Sequence, residues 1–149
     1  MTTGTVTFHR ILRCPPERVF KAFTTPAAMC KWLPPHGFAG EVHHMDARAG
    51  GSWRMSFIHL ASGKVHSFGG GYLVFEPGRR LAYTARFDEA MGLPGEMTTA
   101  VDLATVSCGT EMRVQQSGIP SQIPTEICCL GWQESLALLT LLVEADIPA

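Results

Sequence analysis

The chain has 149 residues, 46% of them hydrophobic and 17% charged, with a formal net charge of −1. That length suits one domain with a core of its own, and a chain in which only Arg79 and Arg80 stand together as cations lacks the basic stripe of a nucleic-acid binder or of a polybasic membrane patch. The five cysteines, Cys14, Cys30, Cys108, Cys128 and Cys129, are odd in number and form no Cys-x-x-Cys pair, which argues for thiols in a reducing compartment and against a disulfide framework or a zinc site.

Residues Met1 to Thr7 have no basic region followed by an apolar run, so no secretory leader is expected and a cytoplasmic location is. Val6 to Leu12 reads as a first strand. Pro15-Pro16 ends it and opens a helix, proline being tolerated in a first turn, with Val19, Phe20 and Phe23 as its apolar face. Thr24-Thr25-Pro26 interrupts that helix, and a second short one runs from Ala27 to Leu33, stopped by Pro34-Pro35 and Gly37.

From Phe38 the pattern turns to strands. Glu41 to Asp46 is followed by a turn at Ala49-Gly50-Gly51, and Ser52 to Leu60 alternates with Trp53, Met55 and Phe57 on one face. Ser62-Gly63-Lys64 makes a hairpin turn into Val65 to Phe75. The run Gly69-Gly70-Gly71 inside that strand marks a bend or bulge. Glu76-Pro77-Gly78 is a turn. Arg80 to Asp88 then places Leu81, Tyr83, Ala85 and Phe87 on one side, Asp88 to Gly95 reads as a mobile loop, and Glu96 to Val106 with Glu111 to Ser117 forms a last hairpin.

Pro124 to Ile147 reads as one long amphipathic helix of roughly 33 Å. A helical wheel places Ile127, Gly131, Ser135, Leu138, Leu139 and Leu142 on its apolar side and Gln133, Thr140 and Glu144 opposite. Small residues, Cys128, Gly131 and Ser135, recur through its first half, and leucines crowd the second. Such a helix packs tightly at one end and leaves room under the other. Its continuous apolar core, Leu136 to Val143, is far shorter than the roughly 20 residues a membrane span needs. One strand, two short helices, about six strands and a long helix give an α+β architecture, an antiparallel sheet with its helices on one face.

Several segments carry a resemblance. Arg10 to Phe23, then Thr24-Thr25-Pro26 and Lys31-Trp32-Leu33-Pro34-Pro35, are similar to the opening of the START-like (SRPBCC) superfamily. Asp46 to Arg54 resembles the glycine-rich hairpin of one group in it, named after the C-terminal domain of activators of the heat-shock-protein-90 ATPase. Gly71-Tyr72, Glu76-Pro77, Arg80-Leu81, Gly109 to Met112 and Gly131 to Leu136 match that group's later segments. The resemblance covers nearly the whole chain. It implies a helix-grip fold, in which a curved antiparallel sheet of six to seven strands wraps around the C-terminal helix, two short helices follow strand 1, and a deep apolar cavity lies between sheet and helix. Members of the superfamily include lipid and hormone carriers and polyketide cyclases, so the fold leaves the function open. Eukaryotic members of the activator group carry a separate N-terminal domain that is not among these residues.

The expected cavity lining is Trp32, Trp53, Met55, Phe57, Tyr83, Phe87 and Met112 from the helical turn and strands, with Cys128, Gly131, Trp132 and Ser135 from the long helix. Plain core is the alternative for each. Glu96, Arg86 and Gln116 are the candidate polar groups, and a desolvated Glu96 would serve as a general acid or base. A register slip of one residue would instead send them to solvent. His43-His44 on a strand face opposite ways, His59 and His66 flank a hairpin, and no His-x-x-x-His spacing occurs, so no metal and no cofactor are expected. Cys128, though near a helix start, lies on the apolar face and reads as packing.

The leading expectation is therefore a protein that binds a small hydrophobic molecule, gated by the Asp88–Gly95 loop and the short helices. It has no nucleic-acid or membrane partner, and a homodimer is compatible with the sequence. One alternative is a cyclase or hydrolase working in the same cavity. The other is a protein-interaction or co-chaperone-like module, which expects a filled interior and an exposed apolar patch.

Overall fold

The computed structural model describes residues 3–88, 92–93 and 95–145. In chain order the elements are β1 (Gly4–Leu12), α1 (Pro16–Thr24), α2 (Pro26–Trp32), β2 (Phe38–Met45), β3 (Ser52–His59), β4 (Val65–Glu76), β5 (Arg80–Phe87), β6 (Met97–Val106), β7 (Gly109–Ile119) and α3 (Thr125–Val143). The seven strands form one antiparallel sheet in the order β1-β7-β6-β5-β4-β3-β2. From β2 to β7 each strand pairs with the next, as tight turns dictate. The connection from β1 to β2 is the exception: it crosses from one sheet edge to the other and carries both short helices.

The break between α1 and α2 has a local cause. Thr25 precedes Pro26, and a residue before proline is driven out of the helical region. Its backbone is extended, at φ −116° and ψ 122°. The two helices lock through Trp32, whose indole N–H donates to the Ala22 carbonyl at 2.8 Å while its ring meets Phe23 edge-on at 4.7 Å. Trp32, Val19 and Phe23 are fully buried.

The sheet curves where side chains are missing. A Cβ on Gly70 would stand 2.0 Å from the Thr84 carbonyl oxygen, and one on Gly69 would stand 2.5 Å from that of Trp53. The backbones of β3, β4 and β5 therefore approach more closely here than any other residue permits. The β4–β5 ladder shifts register just beyond, between Tyr72 and Val74, which adds local twist.

Helix α3 lies against β1, α1 and α2. By length and composition alone it could cross a membrane, but here Trp132, Ser135, Leu136, Leu139 and Val143 are buried within the protein. Two bonds from Arg13 to the Glu144 carboxylate, from its backbone N–H (2.8 Å) and its guanidinium (3.3 Å), fasten the C-terminal end. Arg18 donates to the Val143 carbonyl at 3.0 Å, satisfying one of the carbonyls a helix end leaves open.

Several expectations need correction. The long helix starts at Thr125, with Pro124 as its cap, and ends at Val143; its 19 residues span about 28 Å, and Ile147 lies outside the described residues. Its buried stripe is also rotated. Ile127 is 62% exposed, whereas Trp132 and Leu136 point inward. The reason is polar satisfaction: turning inward gives the Trp132 N–H and the Ser135 hydroxyl buried partners, as buried polar groups require. Strand β2 begins at Phe38 rather than Glu41, and β6 begins after Glu96. The expected loop from Asp88 to Gly95 includes Glu89, Ala90, Met91 and Pro94, which lie outside the described residues.

The close approach at Gly70 generates a stability prediction. Gly70→Ala should cost about 1–3 kcal/mol in urea unfolding, because the added methyl meets backbone rather than a yielding side chain. Gly71→Ala, whose methyl would first meet the Gly51 carbonyl at 3.3 Å, should cost clearly less. Equal midpoints for the two variants would contradict this account of the bend.

Candidate functional site

The strand register decides what faces α3. Tyr83 on β5 pairs with Thr99 on β6, Thr99 with Gln116 on β7, and Gln116 with Val6 on β1. These residues form one row across the sheet, on the side that α3 covers. Above the row lies an apolar cleft of about 230 Å³, partly open to solvent. One wall is aromatic. Trp53 meets Phe68 and Tyr83 edge-on at 5.7 and 5.8 Å, and Phe68 meets Phe57 at 4.8 Å and Phe87 at 5.9 Å. Edge-to-face contacts of this kind fix ring positions. The opposite wall is the first half of α3, through Cys128, Gly131, Trp132 and Ser135.

The polar groups of this cleft bond to one another. The Trp132 indole N–H donates to Gln116 Oε1 at 2.9 Å and the Cys128 thiol to the same oxygen at 3.2 Å, while Gln116 Nε2 donates to Thr99 Oγ1 at 3.3 Å. An indole N–H can only donate, so the Gln116 atom facing Trp132 is the oxygen and the nitrogen faces Thr99. The Ser135 hydroxyl turns to backbone, 2.6 Å from the Leu33 carbonyl and 3.0 Å from that of Gly131. The Trp53 N–H donates to the Thr84 carbonyl at 3.1 Å. Burial pushes the Tyr83 hydroxyl far above its ordinary range, the hydrogen bond with Thr99 acting the other way.

Of the residues expected at the cavity, Trp53, Phe57, Tyr83, Phe87, Gln116, Cys128, Gly131, Trp132 and Ser135 line this cleft. Four others do not. Trp32 is spent on the α1–α2 contact described above. Met55 is fully buried in the core. Met112 lies in the Leu103–Met112–Arg10 row, four residues along β7 from Gln116 and so about 13 Å away. Glu96 precedes β6 and pairs loosely with Arg86 at 3.9 Å, both side chains being well exposed; a carboxylate in solvent avoids the cost of desolvation. Glu96, the expected acid or base, and Arg86, a candidate polar group, are therefore both absent from the cleft lining. Phe68, Leu33, Pro35, Ala85, Met97, Ile119 and Ile123 also line it and escape the sequence reading. Phe68 was findable in principle, since Met55, Phe68 and Phe87 form one register row, but the glycine run hides the parity of β4.

No set of three or more His, Cys, Asp or Glu side chains among the described residues is arranged to hold a metal ion. His43 Nε2 instead lies 2.6 Å from Ser56 Oγ and His44 Nε2 3.1 Å from Ser52 Oγ. His66 pairs across the ladder with Phe57 rather than His59, and the Phe38 ring stands beside both histidines.

Comparison with known proteins gives a consistent picture. The family described as activator of Hsp90 ATPase homolog 1-like protein matches residues 13–144. The crystal structure of protein CV1439 from Chromobacterium violaceum is 54% identical, with a TM-score of 0.93, over 95% of this chain and 98% of that one. A Silicibacter pomeroyi protein titled AHSA1 shares the fold at 17% identity, with a TM-score of 0.79 over 93% and 96% of the two chains. A Staphylococcus epidermidis protein solved by NMR does so at 16% identity and a TM-score of 0.80, over 97% and 92%. The comparison with curated proteins finds no match.

The cleft also controls its thiol. Burial, with a smaller contribution from Cys129, pushes the Cys128 thiol up to about 11. Only the thiolate attacks, so at pH 8 about one Cys128 in a thousand is reactive, against about one in ten for an ordinary thiol. Alkylation of Cys128 by iodoacetamide, followed by peptide mass spectrometry, should therefore lag far behind that of exposed Cys108. Its rate should still climb about tenfold per pH unit near pH 10, and a plateau below pH 9.5 would show a thiol less shielded than its surroundings imply.

Proposed function

The chain belongs to the activator of Hsp90 ATPase homolog 1-like family, and on that premise we propose that it binds a small hydrophobic molecule in the cleft between the sheet and α3. The observation that carries the reading is the space beside Gly131. A Cβ built there meets nothing within 4 Å, although the residue sits mid-helix opposite an aromatic wall. Leaving this apolar wall uncovered forgoes burial worth roughly 25 cal/mol for each Å² that packing would remove from water. One larger side chain at position 131 would recover much of it. An engineered cavity of about 150 Å³ takes up benzene, so about 230 Å³ suits a ligand of one to two rings.

The alternatives have less support. A cyclase or hydrolase needs an ionisable actor at the substrate, and Glu96 and Arg86 stand outside the cleft. An interaction module expects a filled interior, which the open volume argues against. The free state of all five cysteines supports the cytoplasm as the proposed location.

A neutral apolar fluorophore, N-phenyl-1-naphthylamine, should bind at micromolar strength and brighten. Both Gly131→Leu and Ser135→Trp should weaken that binding by about tenfold or more, by occupying the space. Gly131→Leu should at the same time keep or raise the melting temperature, because leucine is the better helix former by about 0.8 kcal/mol. Undiminished fluorophore binding in a folded Gly131→Leu protein would overturn the placement.

A further inference from the structure

Gln116 is a built polar site inside an otherwise apolar cleft. It is about nine-tenths buried, at 9% exposure, and it lines the open volume. Its hydrogen bonds can be counted. A primary amide has two N–H donors and one carbonyl oxygen with two lone pairs. Both lone pairs are taken, by the Trp132 N–H and the Cys128 thiol, and one N–H goes to Thr99. The second N–H has no protein acceptor among the described residues. Beside it, the Thr99 hydroxyl is the acceptor of the first Gln116 N–H. Two other donors of the lining are used: Ser135 and Trp53 both donate to backbone carbonyls. What Gln116 offers a ligand is a donor, and its one strong acceptor, Oε1, is already filled.

Among the described residues the lining also contains no lysine, arginine, histidine, aspartate or glutamate. A charged ligand group drawn into it would lose its water and find no counter-charge, which is prohibitive. We infer that the cleft selects neutral ligands that carry a hydrogen-bond acceptor, of the carbonyl type, which docks on the free N–H of Gln116 with its rings against Trp53, Phe68 and Phe87. The inference rests on the ligand-binding reading above and adds the chemical class. Carboxylate and ammonium groups are excluded from its interior, and aryl or cyclic ketones and related neutral carbonyl compounds fit.

Three probes of nearly the same shape separate the possibilities: 2-ethylnaphthalene, 2-acetylnaphthalene and 2-naphthoate. Titrated into the wild-type protein and followed by two-dimensional amide NMR, the ketone should bind about tenfold tighter than the hydrocarbon. The carboxylate should bind at least about a hundredfold weaker than the ketone. The ketone alone should shift a glutamine side-chain NH₂ resonance, one that Gln116→Met removes. Gln116→Met should bring ketone and hydrocarbon to equal affinity. Gln116→Glu, which keeps the shape and loses the donor, should bind the ketone more weakly than wild type. The wild-type titrations do not depend on either variant folding. If hydrocarbon and ketone bind alike, or the carboxylate binds as well as the ketone, the pocket stands and the selectivity falls. If none of the three binds, the pocket reading falls and the selectivity with it.

Discussion

The Ser135 hydroxyl reaches the Leu33 carbonyl across 2.6 Å, and much of the molecule's shape follows from where that bond holds the long helix. It fastens the middle of α3 to the end of α2, while Arg13 and Arg18 fasten its C-terminus. Between those points Leu136 and Leu139 are fully buried and the packing is tight. Before Ser135 the ties run from side chain to side chain, Trp132 and Cys128 both donating to Gln116 on the sheet. There the side chains are small, and the sheet beneath them is rimmed by rings that cannot collapse onto a backbone held at a distance. The cleft thus lies where side chains alone span the gap between helix and sheet, ahead of the point at which Ser135 holds α3 to α2.

The interior of that cleft obeys the usual accounting for buried polar groups. The indole and the thiol donate to the Gln116 carbonyl and one amide N–H donates to Thr99, which holds Trp132 and Gln116 in single orientations. A cluster of this kind orients a bound molecule without charge. Charge stays outside the cleft: Arg54 and Asp88, neither of which lines it, pair at 2.6 Å, and the bond from Arg54 holds the Asp88 carboxyl below its ordinary range. A neutral interior with its ion pairs elsewhere on the surface is the arrangement expected when desolvation dominates the interior.

The architecture was legible because each of its signals is local. Pro16 and Pro26 open the short helices, Glu76-Pro77-Gly78 and Ser62-Gly63-Lys64 close hairpins, and alternation in β3 and β5 names the inward side chains Trp53, Phe57, Tyr83 and Phe87. The rotation of α3 was less legible. Its sequence is apolar nearly all round, with Ile127, Leu130 and Leu141 exposed, so periodicity alone cannot say which stripe is buried; the partners of Trp132 and Ser135 settle that. Gln116 and Glu96 show the same limit. Both are polar residues at the ends of strands, and only the register with Thr99 and Val6 sends one inward, while the late start of β6 leaves the other outside.

The pairing of β1 with β7 has a consequence for how the protein reaches this state. Gly4 lies opposite Ile119, so these two strands can meet only after a loop on the order of a hundred residues has closed, against a substantial chain entropy. The hairpins from β2 to β7 need no such closure and form early. The first strand and the last helix therefore dock late, onto a meander already in place, and folding is slowed by its longest-range contact. Until they arrive, the apolar side of the meander faces water and is open to association with other chains. On a ribosome that interval lasts until α3 has emerged, so synthesis of α3 sets the time at which the cleft first exists.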